Sequence, residues 1–134
     1  MEIMLSSCKR GYGLRELVSG REGEYWNTDD TLPHAVHITF PRSTYVHTIR
    51  LVLSHSQDES YTPETIVLNY GSVSREHKFL EPEGTIDLPV GAKIFDIVLV
   101  IVNNHSDGKD SHVRNLRVMA GPDEEIRLSP EIYE

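Results

Sequence analysis

The run Asn103-Asn104-His105-Ser106-Asp107-Gly108-Lys109-Asp110-Ser111-His112 gathers two histidines, two aspartates and two serines within ten residues. A His-Asp-Ser relay can be spelled from His105, Asp110 and Ser111. Such a relay also needs a strained nucleophile turn or an oxyanion pocket, and the sequence carries a signal for neither. A small hydrolase is therefore the least favoured reading. Two others fit the residue types better. One is a loop cross-linked by its own hydrogen bonds around the tight turn that Gly108 permits; the other is a surface offering donors and acceptors to an extended ligand.

Asp58-Glu59-Ser60-Tyr61-Thr62-Pro63 carries a similar choice. As a plain connection, Asp58 and Ser60 bond local backbone while Pro63 keeps Thr62 extended. As a binding loop, Ser60 and Tyr61 supply hydrogen-bonding groups, and Asp58 and Glu59 attract a cationic partner. A third polar segment is Tyr25-Trp26-Asn27-Thr28-Asp29-Asp30. Trp26, the single tryptophan, reads as a core plug rather than a sugar platform, since large aromatics are mostly buried. Asp29 and Asp30 read as an acidic turn, because they lack the regular ligand spacing of a calcium loop. His34 and His37 are three apart, which on a strand sends them to opposite faces. His47, His55 and His77 read as isolated rim residues.

The elements that must position these loops are strands. Val36, Ile38 and Phe40 alternate with polar neighbours, as do Ile49, Leu51 and Leu53 after Pro41. Further strands are expected at Thr65–Tyr70, Glu76–Leu80, Thr85–Leu88, Phe95–Val102 and Val113–Met119. The nearly unbroken apolar run at Phe95–Val102 predicts a central strand covered on both faces. Helix is expected only at Leu14–Val18, between Gly13 and Gly20. Seven or eight short strands without helical crossovers predict an all-β fold: an antiparallel β-sandwich of jelly-roll type with one short N-terminal helix.

Composition limits what such a sandwich can do. The 134 residues carry 21 acidic against 13 basic side chains, a net charge of −8. That length suits one domain, expected over residues 1–121 with an acidic tail over 122–134. The scattered basic residues argue against nucleic acid as a partner, which needs clustered Lys and Arg. One cysteine, Cys8, excludes an internal disulfide and zinc sites built on several thiolates. The longest apolar run, Ile97–Val102, is far short of the roughly 20 residues that span a bilayer, and the N-terminus is too short for a signal peptide. The expectation is a monomer when isolated, without membrane, metal or cofactor, in nucleus and cytoplasm.

Five motifs in order carry a family likeness: Ser6-Ser7-Cys8-Lys9-Arg10-Gly11-Tyr12-Gly13, Tyr25-Trp26, Pro33-His34, Asp58 through Pro63, and Asn104-His105 through Asp110-Ser111-His112. Over about residues 5–119 they closely resemble the Doc-domain subunits of the anaphase-promoting complex. The resemblance implies a galactose-binding-like jelly roll. It also implies a non-catalytic role in a ubiquitin ligase. With a WD-repeat coactivator, alongside the other subunits of the complex, such a subunit forms a co-receptor for destruction-box degrons. Carried over residue by residue, the degron-binding positions are Ser60 and Tyr61 in one loop, and Asn104, His105, Asp107, Asp110 and His112 in the other.

Asp107 stands where the family has Asn, which removes amide donors and adds charge. The sequence closes on Pro130-Glu131-Ile132-Tyr133-Glu134 rather than on the family's Ile-Arg, which docks on a tetratricopeptide-repeat scaffold subunit. The expectation is either a compact version of the subunit or attachment through the sandwich alone. The rival reading from another class is a small-molecule or glycan-binding jelly roll, for which Tyr61 or Trp26 would be the aromatic platform.

Overall fold

A computed structural model of the chain describes residues 1–128. In chain order these form β1 (Glu2–Leu5), α1 (Leu14–Ser19), β2 (Trp26–Asn27), β3 (His34–Ser54), α2 (His55–Asp58), β4 (Pro63–Tyr70), β5 (Val73–Lys78), β6 (Glu83–Asn104), β7 (His112–Val113), β8 (Asn115–Met119) and β9 (Glu125–Ile126). Two single 3-10 turns, Glu59–Tyr61 and His105–Asp107, follow α2 and β6. Every strand pair is antiparallel.

Strands expected separately on either side of Pro41 are one 21-residue strand, β3. Those expected at Thr85–Leu88 and Phe95–Val102 are likewise one strand of 22 residues, β6. Pro41 does not end β3 because it sits at a register shift between Thr39 and Thr44, where the ladder needs no N–H from it. The two long strands run antiparallel to each other and so serve both layers of the sandwich. The first half of β3 lies between β1 and the second half of β6, which continues to β4 and β5. The second half of β3 lies between the first half of β6 and β8, which continues to β9. The result is the expected antiparallel β-sandwich, with α2 added to the expected helix.

The core is the inner face of both layers, and the predicted alternation holds: Val36, Ile38, Phe40, Ile49, Leu51 and Leu53 are all buried. β6 differs from expectation. Ile97, Leu99 and Ile101 are buried, but Phe95 is 65% exposed and Val102 45%, so this central strand is covered on one face only. The strand expected at Val113–Met119 is interrupted at Arg114. Trp26 is fully buried, as the core-plug reading requires, and its indole Nε1 donates to Ser7 O at 2.8 Å. Helix α1 closes on Gly20, whose φ of 69° is left-handed backbone, and Asn115 Nδ2 donates to the Leu17 carbonyl near its end at 2.9 Å.

Of the expected tail, Glu125–Ile126 joins the sheet beside β8; residues 129–134 lie outside the described residues. Among the described residues no helix is long and apolar enough to cross a membrane.

Candidate functional site

Strand register brings the three polar segments to one end of the sandwich. Pro63 pairs with Asn104, so the loops entering β4 and leaving β6 start side by side. His105 N–H then donates to Thr62 O at 2.9 Å. Gly108 approaches so closely that a Cβ built on it would lie 1.7 Å from Ser60 O, and only glycine fits there. The third segment joins through the β2–β7 ladder, in which Asn27 faces His112.

Asp58 organises the first loop. It lies on α2, 4% exposed, and accepts from His112 Nδ1 at 2.8 Å, Arg114 Nε at 3.0 Å and Arg114 Nη2 at 2.5 Å. Burial alone would raise this carboxyl. The hydrogen bonds from His112 and Arg114, then their charges, outweigh burial and hold it below the usual carboxylate value. The imidazole so fixed is stacked on Tyr61, at 4.3 Å between ring centroids, and also meets the Tyr25 ring in a tilted contact at 4.5 Å. Tyr12 continues the series at 5.0 Å from Tyr25, and the Arg114 guanidinium lies 4.3 Å from the Tyr25 ring centre. Burial, then the neighbouring Tyr12, raises the Tyr25 hydroxyl above its ordinary value.

Asn104 organises the second loop from within. Its Nδ2 donates to Gly108 O at 3.1 Å and Asp110 O at 3.0 Å, and its Oδ1 accepts from Ser111 Oγ at 2.6 Å. These bonds hold Ser106 and Asp107 in left-handed backbone, with φ of 53° and 56°. Asp tolerates that conformation as Asn does, so Asp107 keeps the turn while changing what the turn presents. Thr28 ties the loop to the third segment: its Oγ1 donates to Asp110 Oδ1 at 2.9 Å and accepts from Ser111 N–H at 2.9 Å. His34, buried as its face predicts, has Nε2 2.6 Å from Lys109 O, while His37 on the opposite face pairs with Asp96.

The predicted site residues therefore divide by role. Tyr61, 42% exposed, and Asp107 face solvent, and Ser60 is half-buried beside them. Asn104 is 3% exposed and His105 9%, so they position the loop. Asp110 and His112 are held by Thr28 and Asp58. The relay spelled by His105, Asp110 and Ser111 does not assemble. Ser111 bonds Asn104, Asp110 bonds Thr28, and His105 Nδ1 lies 3.8 Å from Glu64. His55 is not an isolated rim residue; its ring meets His105 edge-on at 5.0 Å. Among the described residues no group of three or more His, Cys, Asp or Glu is placed to hold a metal ion.

This pairing of a Doc-like loop order with a jelly roll agrees with the known proteins the chain resembles. The family model "Anaphase-promoting complex, subunit 10" matches residues 1–131. The chain belongs to this family. Anaphase-promoting complex subunit 10 of Homo sapiens is 33% identical over 126 residues, covering 85% of this chain and 68% of that protein. Its counterpart in Schizosaccharomyces pombe is 32% identical over 128 residues, covering 86% and 68%. Among solved structures, the family 32 CBM from Clostridium perfringens NanJ in complex with galactose aligns at a TM-score of 0.69. It covers 87% of this chain and 90% of that chain at 12% identity, a likeness of fold.

Family membership makes this chain a subunit of the anaphase-promoting complex. The sequence reading missed the organising role of Asp58, and it missed Arg114, Tyr12, Tyr25 and Thr28 as parts of the same end. Their signal was weak: Tyr25 and Thr28 stood in a polar segment, and Arg114 lies two residues beyond another.

Proposed function

We propose that the chain is a non-catalytic substrate-recognition and processivity subunit of the ligase. With a WD-repeat coactivator, it acts as co-receptor for destruction-box degrons in nucleus and cytoplasm. The observation carrying this reading is the exposed Tyr61 ring, stacked on a His112 that Asp58 immobilises and flanked by Ser60 and Asp107 on two interlocked loops. Such a surface offers one rigid aromatic face plus hydrogen-bonding groups to an extended peptide, at low cost in ordering. An excess of carboxylates suits a degron that carries Arg. Longer dwell of substrate on the complex gives more ubiquitins added per encounter.

His112 also holds the fold at this end, so the cleaner test replaces Ser60 and Tyr61. In a ligase reconstituted with the Ser60→Ala, Tyr61→Ala double variant, destruction-box substrates should receive shorter ubiquitin chains. Stability should fall by only about 1 kcal/mol, the worth of the Tyr61 stack. Unchanged chain length would reject the proposal.

A further inference from the structure

A half-open pocket of about 330 Å³ lies next to this end, between the Gly20–Glu24 turn and the facing ends of β3 and β6. It is large enough for one long side chain or a small ligand. Three glutamates, Glu22, Glu24 and Glu83, and three arginines, Arg21, Arg114 and Arg117, line it. Pairing decides which sign prevails. Arg114 is neutralised from outside the pocket by Asp58, and Arg117 Nε lies 3.6 Å from Glu125. That leaves three carboxylates against Arg21, with Glu83 also within electrostatic reach of Arg114. Glu83 accepts from uncharged donors, Ser54 Oγ at 3.2 Å and Ser56 N–H at 2.5 Å, and so keeps its full charge. Glu24 has one carboxylate oxygen buried without a hydrogen-bond partner, a state that is costly unless something answers it.

The pocket also shares a residue with the side chains packed beneath the proposed peptide surface. Arg114 both lines it and lies over Tyr25, which makes a tilted contact with the His112 ring on which Tyr61 stacks. We infer that this pocket receives a cationic side chain, guanidinium or ammonium, of the extended peptide that crosses Tyr61. The identity of that peptide rests on the function proposed above; the pocket and its charge do not.

The test uses the full chain, 15N-labelled, titrated with N-acetyl-arginine methylamide and with the uncharged citrulline analogue. The arginine probe should shift the amides of Gly20–Glu24 and Gly84 saturably, and the citrulline probe should bind at least ten-fold more weakly. Glu24→Gln and Glu83→Gln should each weaken the arginine probe several-fold, with the rest of the spectrum unchanged to certify the fold. Equal response to both probes, no response, or binding undiminished in both variants would overturn the inference. If the arginine probe binds here while Ser60→Ala, Tyr61→Ala leaves ubiquitin chain length unchanged, the degron reading fails and the pocket stands. If that double variant shortens chains but the probe does not bind, the pocket alone fails.

Discussion

His112 Nδ1 and Asp58 Oδ1 are 2.8 Å apart although 54 residues separate them along the chain. The same carboxylate takes two bonds from Arg114, two positions further on. One buried acid thus joins α2 to β7 and to the gap that follows it, and fixes the ring on which Tyr61 rests.

Removing that acid leaves a part-buried guanidinium and a part-buried imidazole without their partner. Asp58→Ala should cost about 3 kcal/mol at pH 7, measured by urea unfolding. The effect has a defined pH dependence. The native pKa of Asp58 lies below its ordinary value of 3.8, so its stabilisation is complete above that value and is lost as pH falls through the lower native one. The stability gap between wild type and Asp58→Asn should stay constant from pH 7 to about pH 5 and narrow steadily once pH falls below the ordinary value of 3.8. A gap that does not narrow on acidification would assign the stabilisation to something other than the carboxylate.

Gly108→Ala tests the interlock of the two loops. The added methyl cannot coexist with Ser60 O at 1.7 Å, so one loop must shift. The expected cost is about 1–3 kcal/mol. Amide shifts should be confined to residues 59–62 and 105–111, and β3 and β6 should keep their hydrogen-exchange protection. An unperturbed Ser60 amide would show that the loops do not touch in solution.

Asn104 and Ser111 share a hydrogen bond but should not share a phenotype. Asn104→Ala strips partners from Gly108 O, Asp110 O and Ser111 Oγ and should cost about 2–3 kcal/mol. Hydrogen exchange should rise across the loop. Ser111→Ala removes one bond and should cost about 1–2 kcal/mol. Comparable losses in thermal unfolding would mean that the loop is not built around Asn104.

Trp26 separates packing from hydrogen bonding. Trp26→Ala should cost about 3–5 kcal/mol for a fully buried aromatic. Trp26→Phe keeps most of the volume but loses the bond to Ser7 O, and should cost about 1 kcal/mol beyond its small cavity. Circular dichroism on urea titration reads both, since the substitutions remove the only indole.

Much of the fold was legible because it is written in local periods. Alternation at Val36-Ile38-Phe40 and Ile49-Leu51-Leu53 places those side chains on an inner face whichever strands later pair with them. Leu14–Ser19 is helical between the glycines that mark its ends, and Trp26 is buried as its bulk and apolar surface require. The loops that form the candidate site could also be picked out, because polar, stiff residues between strands stand apart from the alternation around them.

Tertiary structure decided how strands join and what each loop residue does. Pro41 reads locally as a break, but the β6 partner beside it carries β3 through with a shift of register. Apolar letters at Phe95–Val102 read as burial on both faces, yet the sandwich covers only one. Asn104 reads as a ligand group, but in the folded loop its amide is spent on Gly108, Asp110 and Ser111. The bonds of Asp58 to His112 and Arg114 leave no mark in the sequence. A hydrogen bond needs two groups within about 3 Å, and across more than fifty residues only sheet register can bring them there.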